Sequence, residues 1–196
     1  MNLIERAKNI LLTPKTEWLV VDTEVATPQN IFMNYVLPLA IISSIGKILA
    51  GIMPSAFMGT YLIWIAVVSF ISIIIGFYIS VYVIDMLAPS FNSEKNIGKS
   101  AQLVAYSNTP VWVAGFLSFI PVIGTLLAIA GWVYSIFLFY NGLGILKKTP
   151  EDKKVVYMVV AIIVMIAITF IISAILMAVF ASIIGFGAMS QGVLGM

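Results

Sequence analysis

Long apolar runs alternate along this chain with short polar breaks. The runs occupy about residues 31–53, 61–87, 101–119, 122–146 and 155–184. At roughly 20 residues per crossing of the hydrocarbon layer, each is long enough to span a bilayer. Pro54 to Thr60 reads as a turn, and Ala88 to Ser100 as a loop with Pro89, Asn92, Ser93, Asn96 and Gly98 as breakers. Ile120-Pro121 reads as a tight turn and KKTPEDKK as the most charged connection. The expected fold is all-α: five transmembrane helices (31–184), a polar segment at 1–30, and an uncharged Gly-rich tail at 185–196 that reads as loose.

Within the first thirty residues the period changes. Leu3, Ile4, Ala7, Ile10 and Leu11 fall on one helical face, with Glu5, Arg6, Lys8 and Asn9 opposite. Such a short amphipathic helix is marginal in water and needs a surface, either the membrane or the protein's own cytosolic side. Thr13-Pro14, Thr27-Pro28 and Thr149-Pro150 read as helix starts, because Thr caps well and Pro suits the first helical position. A second short helix carries Trp18, an interface anchor or a packing residue. A fourth pair, Thr109-Pro110, sits inside an apolar run. Pro removes a backbone donor there, so the third crossing is expected to kink or break near Asn108.

Composition agrees with a membrane protein: 196 residues, 62% hydrophobic and 9% charged, where a soluble domain carries about 25% charged residues. Cys and His are absent. That excludes disulfides, thiolate nucleophiles, Cys/His metal sites and His general bases. No cofactor is expected, and a net charge of +2 gives no sign of nucleic-acid binding. Arg6, Lys8, Lys15, Lys95, Lys99, Lys147, Lys148, Lys153 and Lys154 all fall on one side of a five-crossing chain. The amino terminus is therefore expected in the cytoplasm and the carboxyl terminus outside.

Two charges fall inside the runs, each costing roughly 2.5–3.5 kcal/mol on insertion scales. Lys47 lies ~20 Å up the first crossing and Asp85 near the cytoplasmic end of the second, so they are not expected to pair. Lys47 is expected to snorkel. Asp85, Asn108 and Asn141 share one depth, with Tyr82, Tyr106 and Tyr140 near it. They form either a polar pocket open to the cytoplasm or interhelical hydrogen-bond glue.

The lettering IDMLAPSF, AYSNTPVWVAG, IPVIGTLL, YSIFLFYNGL and LKKTPEDKK, with ILLTPKTEW near the start, resembles the Yip family, the Ypt/Rab-interacting-protein family of five-span membrane proteins, over about residues 5–180. It is most similar to the bacterial, inner-membrane branch. The resemblance implies a five-helix domain with a cytoplasmic amino terminus, and no settled activity. Similar eukaryotic proteins act in vesicle trafficking and bind prenylated GTPases through a longer amino-terminal segment than the thirty or so residues here, which speaks against GTPase binding. Three classes of function follow. One is a non-enzymatic protein that shapes membrane or scaffolds partners, with membrane lipids, a partner protein or its own copies as contacts. The second is a small-solute or ion transporter using the Asp85 level, since interrupted helices commonly build binding sites. The third, an intramembrane enzyme, lacks a second carboxylate or a base.

Overall fold

The computed structural model describes residues 2–52, 59–120 and 122–194, and among them there is no strand. Most of the expected Pro54–Thr60 turn lies outside the described residues, as does Pro121. Helices α1 (Leu3–Leu12) and α2 (Pro14–Thr23) form a hairpin. A crossing follows from α3 (Pro28–Ile31) through a π-helical turn (Phe32–Val36) into α4 (Leu37–Ile52). The π turn has a cause in the sequence. Pro38 has no N–H to give, and the Leu37 N–H reaches back to the Phe32 carbonyl, so the ladder shifts register without opening.

Next come α5 (Gly59–Leu87), α6 (Ile97–Ser107), α7 (Thr109–Phe116), α8 (Ile123–Leu146) and α9 (Glu151–Leu194). Four helical stretches, Pro28–Leu49, Ala66–Phe91, Ile123–Leu146 and Glu151–Val179, are long and apolar enough to cross a membrane by length and composition. The segment expected as a further crossing, 101–119, is divided at Asn108 between α6 and α7. Pro110 would have bonded the Tyr106 carbonyl, and the Thr109 hydroxyl takes that carbonyl instead at 2.8 Å. The Thr109 oxygen in turn accepts from Tyr35 on the first crossing at 2.7 Å. α9 continues as helix to Leu194, through the stretch expected as a loose tail. No charge or Pro interrupts it there, and a helical Gly costs only about 1 kcal/mol.

α6 is the centre of the bundle, with Gly98 and every residue from Ser100 to Ser107 buried. It packs against α5, α8 and α3. The chain runs out through α6 and α7 and returns along α8, so the loops before α6 and after α8 meet at one end. Alongside, α4 and α7 run parallel and very close. A Cβ placed on Gly46 would stand 2.2 Å from the Phe116 carbonyl oxygen, so only Gly permits this approach.

The α1–α2 hairpin does not lie apart from the bundle. Trp18 is fully buried, with its ring against the space that a side chain on Gly142 would fill and 6.3 Å from Tyr106. The Tyr134 hydroxyl donates to the Leu11 carbonyl at 2.8 Å. The buried face of α1 differs from the expected one. Ile10 and Arg6 face inward while Ile4 is 74% exposed. Periodicity put Arg6 on the polar side, but two acidic partners on the following segment draw it in.

Candidate functional site

The site grows from a helix end. α5 stops at Leu87 in a 3₁₀ turn, and Asn92 takes the left-handed conformation (φ 54°) that a short amide tolerates. Asp85 therefore faces the start of α6, where the Asn96 side chain caps the Lys99 N–H. From the far end of α8, Lys147 reaches into the same place with no exposed surface. Its ammonium donates to Asp85 Oδ1 at 3.1 Å, Ser100 Oγ at 2.8 Å and the Asn96 carbonyl at 3.2 Å. An ammonium has three protons to give, and all three have acceptors. Burial pushes Lys147 below the ordinary lysine value, and the hydrogen bond and charge of Asp85, with the charge of Glu94, oppose that.

The same layer ties four segments together. The Glu94 N–H donates to the Lys147 carbonyl at 2.7 Å, and the Ser93 hydroxyl to Thr149 Oγ1 at 2.9 Å. Lys148 stands at φ 50°, which turns consecutive lysines opposite ways: Lys147 inward, Lys148 out to Asp22 Oδ2 at 2.5 Å. Lys99 Nζ donates to the carbonyls of Val21, Asp22 and Glu24, capping the end of α2. Burial raises the Asp22 carboxyl, but the bond and charge of Lys148 and then Lys99 outweigh it and hold the group below the ordinary carboxylate value. Above this layer Arg6, 4% exposed, pairs with Glu17 at 2.6 Å and with Glu24, and its guanidinium stands 5.2 Å over the Tyr106 ring. On the α9 side, Tyr157 is fully buried, donates to the Ile84 carbonyl and stacks on Phe91 at 4.7 Å.

The family model described as the Yip1 domain matches residues 8–172. The chain belongs to the Yip1-domain family. No curated protein and no solved structure matches it. Apolar helices and family membership together make this Yip1 domain an integral membrane protein.

The Yip1 domain distributes the polar residues differently from a single shared level. Asp85 meets Lys147 and Ser100, and neither asparagine. Asn108 turns back on its own helix to the Val104 carbonyl at 2.8 Å, and Asn141 to the Phe137 carbonyl at 2.7 Å. These groups do not share one height: Asp85 lies beside Lys147 at the end of α8, whereas Asn108 lines the same space as Ser135, roughly 18 Å back along that helix at ~1.5 Å per residue. Tyr82 is 57% exposed on the outside of α5. Tyr140 lies beside the Lys154 ammonium, 5.4 Å from its ring centre. Tyr106 is buried edge-on to Tyr35 at 4.8 Å. Thr109 and Pro110 sit at the division of α6 from α7. Lys47 is half-buried on α4, and no ion pair or hydrogen bond to it occurs among the described residues. Sequence reasoning missed Lys147, Ser100, Arg6 and Glu17. Lys147 carried a signal: it closes an apolar run on the same side as Asp85.

Proposed function

We propose that this Yip1-domain protein is a non-enzymatic organiser of a bacterial cytoplasmic membrane. Its five crossings place the amino terminus in the cytoplasm and the carboxyl terminus outside. Its basic end offers a rigid surface to membrane lipids, to a partner protein or to another copy. The observation that carries this reading is the saturation of the Asp85–Lys147 pair: the buried carboxylate is already neutralised by a lysine whose three protons are all bonded. A transporter built on Asp85 needs that group free to exchange ions, and this one is committed to holding helices together. The meeting of Lys99, Lys147 and Lys148 at one end supports the orientation. GTPase capture by the amino-terminal segment is disfavoured, because Trp18 and Arg6 are already spent on docking it.

Reconstitution in liposomes tests the reading. The expected result is solute and ion flux no greater than in empty vesicles, together with crosslinks in native membranes that form at Lys8, Lys15 or Lys153. Flux that requires the protein and disappears in Asp85→Asn would overturn it.

A further inference from the structure

A cavity of about 490 Å³ lies where α6 gives way to α7, walled by α5, α8 and α9. Its polar lining is wholly uncharged: Ser80, Ser107, Asn108, Ser135, Thr169 and Ser173. Serines in membrane helices ordinarily bond back to their own carbonyls or across to a neighbour. Ser107 and Ser135 do neither. Both hydroxyls are shut off from outside and have no partner, and Ser107 is only 3% exposed. Both residues line a space large enough for a small organic ligand, with their oxygens behind its surface.

The wall also says where a ligand would enter. Trp132 of α8 and Ile166 and Phe170 of α9 line the cavity and are 52%, 53% and 75% exposed, so its mouth opens sideways on the apolar surface of the bundle. Depth narrows the chemistry. Ser135 stands roughly 18 Å along α8 from Lys147 at ~1.5 Å per residue, near the middle of a ~30 Å hydrocarbon layer. A charged headgroup brought to that depth would find no counter-charge in the lining. A hydroxyl or ester carbonyl would find the hydroxyls of Ser80, Thr169 and Ser173 and the Asn108 amide.

We propose that this cavity binds an uncharged lipid with a hydroxyl- and carbonyl-bearing head, of the diacylglycerol type, entering from the bilayer between α8 and α9. The site is separate from the Asp85–Lys147 layer and does not depend on the function proposed above.

Photolabelling in reconstituted vesicles tests it, using photoreactive diacylglycerol and photoreactive phosphatidylglycerol with the same acyl chains. Diacylglycerol should label the 132–139 and 162–173 segments saturably, and excess unlabelled diacylglycerol should compete it away at least five-fold. Phosphatidylglycerol should give only the non-saturating label of surrounding lipid. Ser135→Leu, which fills the cavity, should lose the competable label. Thr169→Val keeps shape and removes a hydroxyl at the rim, so it should weaken competition several-fold in a protein that melts as the wild type does. Equal, non-competable labelling by both probes, or a competable label unchanged in both variants, would show surrounding lipid only and overturn the proposal.

Discussion

The basic end of the bundle and the cavity at the helix break both bury polar groups, and they treat them in opposite ways. At the basic end Lys147, Asp85, Ser100, Ser93 and Thr149 all have partners, drawn from helices far apart in sequence. At the cavity the hydroxyls of Ser107 and Ser135 have none. A buried polar network gains rigidity when every member is satisfied, and an unsatisfied member is costly. The first region is therefore a fastening. The second is a space with uncharged polar walls that opens on the apolar side of the bundle.

The largest single effect is expected where the hairpin is pinned to the fastened end. Trp18→Ala empties a fully buried site against Leu103 and Gly142 and should cost about 3–5 kcal/mol. Limited proteolysis should then cut near Lys15 while the crossings stay inserted. Trp18→Phe should keep most of the protection, because the buried indole N–H has no acceptor to lose.

Thr109→Val tests the division between α6 and α7. It leaves the Tyr106 carbonyl and the Tyr35 hydroxyl without their shared partner. A loss of about 1–3 kcal/mol is expected, read as a lower melting temperature in detergent.

Acid should loosen the hairpin at its Asp22 clamp. The carboxyl is held below its ordinary value by Lys148 and Lys99 in the fold. Its contribution is therefore complete above the unfolded value of 3.8 and fades as pH falls through the lower folded value. Proteolytic protection near Lys15 should drop between neutral and strongly acidic pH, and Asp22→Asn should remove that component of the change. The smallest effect belongs to the cavity: Thr169→Val should shift stability by no more than ~0.5 kcal/mol, measured by the same melt.

Much of the architecture was legible because apolar run length reports on membrane crossing directly, as in α5 and α8. The division at Asn108 has a cause that the sequence carries, since Pro110 cannot serve the Tyr106 carbonyl. The partner of Asp85 was misplaced for a definite reason. Lys47 lies inside a run, whereas Lys147 follows one directly among the loop lysines, and that run delivers it to the same end as Asp85. Arg6 went astray because helical periodicity knows nothing of Glu17 and Glu24, which reach it only after the chain turns back. The cavity was not legible at all. Its hydroxyls come from four helices, and only tertiary packing brings Ser80, Ser107, Ser135 and Thr169 around one space.

The central claim is that Asp85 and Lys147 are one structural unit rather than a free site. A double-mutant cycle of Asp85→Leu and Lys147→Met, followed by melting in detergent, tests it most directly. Each single variant strands a buried charge and should lose about 3–5 kcal/mol. The double variant removes both charges and should recover most of that loss, with the hairpin still protected. A double variant that loses the sum of the two singles would contradict the account.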